Sequence, residues 1–262
     1  MSQAFIHPKA RIGNNVTIGP FSYIAENVEI GDGTIIGPNV TILDYVKLGR
    51  DNKIYPGAVL GSTPQDVGFA EEETWLEIGD DNIIREFVNM ARGTIHGRGK
   101  TVIGNNNMLM CYSHVAHDCV IGNGTVIISY VGFAGFVEVN DYATIGGKAV
   151  FHQFTKVGAY SMVSGASAVR KDVPPYALTG NNPVAFYKLN LVGLRRNGFT
   201  SEQISRIESI YRTLYDSGLN ISDACERIEQ DFEESVEKRT ILDFIKNSKR
   251  GIVPKISRFI HG

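Results

Sequence analysis

The sequence gathers its acid–base groups in one short run, His114-Val115-Ala116-His117-Asp118-Cys119. An imidazole changes charge near neutral pH, and a neighbouring carboxylate can orient the ring and stabilise its charged form, so His117 with Asp118 is a candidate general base. Hydrogen bonding at a surface, or packing between subunits, would use the same pair. His114, His117 and Cys119 lack both a CxxC ligand pair and a third histidine at tetrahedral spacing, so no metal is expected and Cys119 reads as a packing residue. A second polar pair, His152-Gln153, lies among Phe133, Phe136, Phe151 and Phe154. Aromatic walls with a few directed hydrogen-bonding groups are the composition of a ligand cleft.

The elements that must position these groups follow from a period. From Ile6 through Ile12, Ile18 and onward to Leu60, an aliphatic residue stands at every sixth position. Ile78, Ile84 and Met90 resume the interval after one break, and Ile103 through Val169 resume it after another. A helix repeats near 3.6 residues and an isolated surface strand near 2, so an interval of six reads as short strands joined by turns, one inward side chain per flat side. Three such sides make a triangular coil of a parallel β-helix, with successive coils stacked about 4.8 Å apart. Glycine, asparagine and aspartate, as in Ile12-Gly13-Asn14-Asn15, suit the corners because they tolerate left-handed or tight backbone angles. The 28 glycines are explained chiefly in this way.

Residues 18 apart then lie above one another, which puts His117, Gly135 and Gln153 in one column and His152 beside it. Val115 supplies the inward rung, so His114 and His117 are expected outside or at corners. Phe133 and Phe151 fall on rungs and read as core, leaving Phe136 and Phe154 for a cleft wall or an interface.

The break at 62–77 holds Pro64-Gln65-Asp66 and Glu71-Glu72-Glu73 and preserves phase, as expected of a loop leaving the wall. The glycine-rich, basic break at 92–101 reads as a solvated loop or as a phosphate or partner contact. The period ends at Asp172-Val173-Pro174-Pro175, where paired prolines stop both helix and ladder. A boundary is therefore expected there, with a β-helix over 1–175 and a helical domain over 176–262 that covers the last coil's open edge. The expected helices run from Asn182-Pro183 to about Arg196, from a Thr200/Gln203 capping box to Gly218, from near Ser222, and from about Glu234 to Gly251. The second has an apolar face of Ile204, Ile207, Ile210, Tyr211, Leu214 and Tyr215.

A net charge of −2 over 262 residues argues against a nucleic-acid binder. Three cysteines without a disulfide pattern, no leader and no apolar run of about 18 residues point to the cytoplasm and to no transmembrane segment. A flat wall bearing aromatics needs something packed on it, and a closed cyclic oligomer supplies that.

The chain closely resembles the bacterial UDP-N-acetylglucosamine O-acyltransferase family, the hexapeptide-repeat enzymes that begin lipid A synthesis. The segments that carry the resemblance span nearly the whole chain: Ile6-His7-Pro8, Pro64-Gln65-Asp66, Ile84-Arg85-Glu86, Arg92-Gly93-Thr94, the His114 to Cys119 run, His152-Gln153-Phe154, Asp172 to Tyr176 and Gly193-Leu194-Arg195-Arg196. The resemblance implies an all-β left-handed parallel β-helix with a small α-helical C-terminal domain, and a homotrimer with sites between neighbouring subunits. It implies, without a cofactor, transfer of a 3-hydroxyacyl group from acyl carrier protein to the glucosamine 3-hydroxyl of a UDP-sugar. His117 would take the hydroxyl proton, Asp118 would support the ring, and the N–H of Gly135 would face the oxyanion. Asp66, His114, His152 and Gln153 align with residues around the sugar nucleotide and acyl arm, Gly165 with the acyl-chain ruler, and Asn190 and Arg196 with groups near the nucleotide. Arg195 and Lys171 would offer a basic rim to the carrier protein or be simply solvated. The chain departs from the family pattern at Gly68, where lysine is usual, at Ala91 and Phe136, where histidine is, and at Val192 and Asn197. The departures leave open an N-acyltransferase acting on a 3-amino UDP-sugar. From a different class, a noncatalytic sugar-nucleotide or carrier-protein scaffold is the remaining alternative.

Overall fold

The computed structural model describes residues 3–256. Its strands form three sheets of nine, eight and ten strands, parallel throughout the coils, where each strand pairs with the third one after it in the chain; only the last two strands of the ten-stranded sheet depart from this. Ile6 sits over Ile24 and Ile24 over Ile42; Met90 sits over Val115, Val115 over Phe133 and Phe133 over Phe151. This is the left-handed parallel β-helix with a helical C-terminal region that was expected. The rungs from Ile24 to Val169 are buried in one continuous column, in which the rings of Phe133 and Phe151 lie 4.9 Å apart. A second column inside the coils is polar: the Asn107 N–H donates to Asn82 Oδ1 at 2.9 Å, and the Thr125 N–H to Asn107 Oδ1 at 2.8 Å. Each buried amide thus bonds to the next coil and is not left as an unpaired polar group.

The glycines work differently from the sequence-based expectation. The left-handed corners are held mainly by Asn, Asp and aromatic residues, among them Asn39 (φ 56°), Asp81 (φ 58°) and Tyr112 (φ 61°). Most glycines of the repeat instead lie where one coil touches the next. A Cβ on Gly31 would fall 2.6 Å from the carbonyl of Gly49, and one on Gly146 would fall 2.3 Å from the N of Gly165. Close stacking, more than backbone angle, demands the small residue.

A second correction concerns the first expected helix. Residues Ala177–Gly180 and Ala185–Leu189 form an antiparallel hairpin whose turn contains Asn182-Pro183, and only Leu191–Arg196 (α1) is helical. The segment Val184-Ala185-Phe186-Tyr187-Lys188 is rich in β-branched and aromatic residues, and these favour a strand. The hairpin's first strand pairs with Met162-Val163 and so extends the ten-stranded sheet beyond the last coil, protecting its edge. Then follow α2 (Ser201–Asp216), α3 (Ile221–Asp231) and α4 (Val236–Lys246), with the expected capping box of Thr200 and Gln203 in place. Helix α2 buries Ile207, Ile210, Tyr211 and Leu214, and the Tyr211 hydroxyl donates to Pro175 O. Asp172 accepts from the Lys156 N–H at 2.8 Å and from the Ser248 hydroxyl at 2.6 Å, which ties the end of the helical region to the last coils. Among the described residues no helix is long and apolar enough to cross a membrane.

Candidate active site

The strand His114–Val115 lies in the nine-stranded sheet between Asn89–Ala91 and Gly132–Phe133. Val115 points inward and is fully buried, after which the chain turns a corner at His117 and Asp118, the latter at φ 59°. A short carboxylate accepts this left-handed geometry more readily than most side chains. His117 is at a corner, as its place in the repeat required, yet only 3% exposed, because the two interrupting segments fold back over it.

The segment at 92–101 supplies the carboxylate's environment. Asp118 is fully buried, and its oxygens accept the Thr94 hydroxyl at 2.7 Å, the Thr94 N–H at 3.1 Å, the Arg98 N–H at 2.7 Å and His117 Nδ1 at 2.9 Å. Four donors satisfy a buried anion that would otherwise be costly. With every donor aimed at the carboxylate, His117 carries its proton on Nδ1, leaving Nε2 with a lone pair. A Cβ on Gly97 would lie 2.4 Å from Asp118 Oδ1, so this approach also requires a glycine.

On the other face, a Cβ on Gly135 would lie 2.5 Å from His117 Cε1 and 2.6 Å from Nε2. The imidazole therefore rests on bare backbone. The flanking N–H groups are committed, Ala134 to Phe151 O and Phe136 to His117 O, whereas that of Gly135 has no backbone acceptor among the described residues. Phe136 meets the His117 ring edge-on at 5.4 Å and stacks on Phe154 at 4.6 Å, forming an aromatic wall beside the base.

The segment at 62–77 brings Asp66 to the Nε2 side, with Oδ2 3.9 Å from His117 Nε2 and 3.1 Å from His96 Nε2. The Gly68 N–H, at 2.8 Å from Oδ1, holds the Asp66 carboxyl below its ordinary value, and His96 and His117 act in the same direction. Arg92 anchors this segment from beneath, its guanidinium between the rings of Tyr45 and Phe69 and close to the carbonyls of Glu72 and Thr74. His114 points to Asn89, Nδ1 to Oδ1 at 2.9 Å. Burial, with some repulsion from His117, keeps its imidazole below the ordinary pKa.

His117, Asp118, Gly135, Asp66 and His114 thus form one cluster. Strand register carries the column one coil further to Gln153, which is exposed with His152; His152 Nδ1 lies 3.1 Å from Gln153 O. Gly165 is exposed beyond them, and Arg196 is exposed at the end of α1. Asn190 caps α1, accepting the Gly193 N–H at 3.1 Å and donating to Tyr160 O at 2.9 Å, so both ends of its amide are engaged. Sequence reasoning did not single out His96, Gly97 or Arg98, and it used Thr94 only as part of a motif. Their signal was the Thr94 hydroxyl and three glycines, Gly93, Gly97 and Gly99, in a break beside a coil that carries an acid–histidine pair.

Comparison with known proteins agrees with this architecture. The model described as "Bacterial transferase hexapeptide (six repeats)" matches residues 9–44 and 100–135, and the one described as "Udp N-acetylglucosamine O-acyltransferase; Domain 2" matches 172–253. The acyl-[acyl-carrier-protein]–UDP-N-acetylglucosamine O-acyltransferase of Halorhodospira halophila is 46% identical over 250 residues, covering 95% of this chain and 97% of its own. A UDP-N-acetylglucosamine acyltransferase crystal structure from Bacteroides fragilis superposes with a TM-score of 0.94 at 47% identity, over 97% of this chain and 99% of that one. The UDP-N-acetylglucosamine O-acyltransferase of Moraxella catarrhalis gives 0.93 at 40% identity, over 97% and 98%. Likeness of this extent, running through coils and helical region alike, places the chain in the UDP-N-acetylglucosamine O-acyltransferase family.

Proposed function

We propose that this chain transfers a 3-hydroxyacyl group from acyl carrier protein to the 3-hydroxyl of UDP-N-acetylglucosamine, as an acyltransferase of lipid A synthesis. The observation that carries the reading is the His117–Asp118 pair, with its proton fixed on Nδ1 and its Nε2 lying over the backbone of Gly135. In the reaction, Nε2 takes the proton of the acceptor hydroxyl as that oxygen attacks the thioester carbonyl. The carbonyl oxygen becomes negative, and the Gly135 N–H, free of the ladder, donates to it. Collapse breaks the C–S bond, and the imidazolium returns its proton to the departing thiolate. Asp118 keeps its charge throughout and stabilises the ring while it is an imidazolium.

Asp66 and His114, on either side of the base, would hold the sugar; His152 and Gln153 would line the next stretch of the path, and Gly165, at the ruler position, would leave room for a longer acyl chain than a bulky residue would. Arg196 would meet the nucleotide phosphates, with Asn190 setting the start of the helix that carries it. In this division, residues 1–175 perform the chemistry and the region from 176 serves the nucleotide and the carrier protein. The exposed Tyr130, Val150 and Phe154 leave apolar surface on the wall, consistent with a homotrimer whose neighbouring subunits complete the groove. Three cysteines free of disulfides, with the Cys119 thiol pushed up to about 12 by burial, suit the cytoplasm. The alternative acceptor, a 3-amino UDP-sugar, has Phe136 in its favour, since an aromatic replaces a donor beside the ring.

The deciding experiment gives the purified protein UDP-N-acetylglucosamine or its 3-amino analogue with a panel of acyl carrier thioesters and weighs the products. The reading expects a 3-O-acyl product; an amide product alone would assign the alternative, and ligand binding with no product would leave a scaffold. His117→Ala should lower kcat about 10²- to 10⁴-fold with fold and assembly retained.

A further inference from the structure

We propose that His96 is the positioning residue for Asp66, a latch across the two interrupting segments that fixes the carboxylate on the acceptor side of the base. This rests on the acyltransferase reading given above. Three observations carry it. His96 Nε2 lies 3.1 Å from Asp66 Oδ2, and the same oxygen is 3.9 Å from His117 Nε2, so the atom that His96 holds is the one facing the base. Gly68, where the family pattern has a lysine, comes within 3.9 Å of His96 Cε1 when given a Cβ. With no side chain at Gly68, the space beside the Asp66 carboxylate is left to the His96 ring. The segments are joined a second time next door, where the Ile95 N–H donates to Glu72 Oε2 at 3.1 Å, so His96 projects from a backbone already fixed to its partner segment.

The two oxygens of Asp66 then have separate tasks. Oδ1 accepts the Gly68 N–H at 2.8 Å and keeps the turn; Oδ2 accepts from His96 and is aimed at the site. Without His96, Oδ2 keeps its charge but not its direction, because the turn fixes only one oxygen. The remaining charged groups nearby are committed elsewhere: Asp118 to the Thr94 and Arg98 N–H groups and to His117, and the Arg98 guanidinium to Glu138. His96 is half exposed, and no proton need pass through it; its effect is on the acceptor alone.

The test measures steady-state kinetics of the full chain in its native assembly, varying the UDP-sugar at saturating acyl carrier thioester. His96→Ala should raise KM for the acceptor about 10-fold, the worth of one charge-assisted hydrogen bond, while kcat and KM for the donor stay within about 2-fold. His96→Gln, which can still donate, should recover most of the loss, and Gly68→Lys in the His96→Ala background should recover part of it. The cycle with Asp66→Ala should be strongly non-additive. An unchanged acceptor KM in His96→Ala, or additive effects with Asp66→Ala, would overturn the latch. If His96→Ala does not fold, long-range ¹H–¹⁵N spectra of the unaltered chain should show His96 protonated on Nε2, and Nδ1 protonation would overturn it equally. No transfer by the unaltered chain to either acceptor would, by contrast, sink the acyltransferase reading and not the latch, which the His96 spectra test separately; normal activity in His117→Ala would sink only the base assignment.

Discussion

Gly135 is required by contact and not by its backbone angle, a distinction that makes it testable. A single methyl there would stand 2.6 Å from His117 Nε2, well inside van der Waals contact, and the ring has no room to retreat because Asp118 holds Nδ1 from behind. Gly135→Ala should therefore cost at least about 10²-fold in kcat, by pushing the imidazole out of its hydrogen bond to Asp118, while the coils stay folded. Full activity in a correctly folded variant would show that the ring does not react from this position. Asp118→Asn should cost about 10³-fold, since an amide can turn its NH₂ toward Nδ1 and move the imidazole proton to Nε2, where the base is needed bare. His114 adds a pH-dependent contribution of its own. Its folded pKa is depressed below the ordinary 6.5, so the unfolded chain takes up the proton first. The stability it contributes is complete above about 6.5 and is lost as pH falls through the depressed folded value. His114→Gln should flatten the acid side of a plot of Tm against pH, and an identical slope in the variant would refute the assignment.

At the scale of elements, what was legible is what repeats. An aliphatic residue every sixth position is stated so many times that coils, register and the column through His117, Gly135 and Gln153 could be drawn without coordinates. Features that occur once could not be drawn. The segment at 92–101 carries no period, so its cover over Asp118 by Thr94, Gly97 and Arg98 was invisible, and its basic character drew attention outward instead. The hairpin's second strand, Ala185–Leu189, lies where the sequence predicts helix, because Asn182-Pro183 can begin one; strand propensity and an available sheet edge decide otherwise. Glycine misled in a subtler way, since its tolerance of left-handed angles and its lack of a side chain predict the same sequence but different neighbours. The cover can be tested through Thr94, whose hydroxyl donates to Asp118 at 2.7 Å in a site with no water-exposed edge. Thr94→Val keeps the shape and removes that donor; it should lower stability by about 1–3 kcal/mol and kcat about 10-fold, read by denaturant unfolding and initial rates. Unchanged values of both would mean that the backbone donors suffice.

The whole molecule is a stack in which each coil contacts mainly its neighbours, so its stability should vary along the axis. Its two ends are finished very differently. At the C-terminal end, the hairpin extends one sheet, Asp172 bonds to Ser248, and the Tyr211 and Tyr215 hydroxyls reach Pro175 and Val253, which together cover the last coil. Among the described residues the first coil has no such cover: Ile6 and Ile12, which occupy inward rung positions, are 41% and 37% exposed, whereas Ile24 and Ile30 one coil further are 0% and 3%. An apolar rung that stays in contact with water gains little of the burial that orders its coil, while the entropy of ordering it is the same. The stack should therefore fray from the N-terminal side, losing its first coil well before the rest, and the region around His117, deep in the column, should open only with global unfolding. Amide hydrogen exchange followed by mass spectrometry should show residues 5–24 exchanging at least about 100-fold faster than residues 103–145, in a gradient that climbs coil by coil. Uniform protection along the axis would mean that the coils unfold as a single unit, and that the bare rungs of the first coil are covered in solution by another surface.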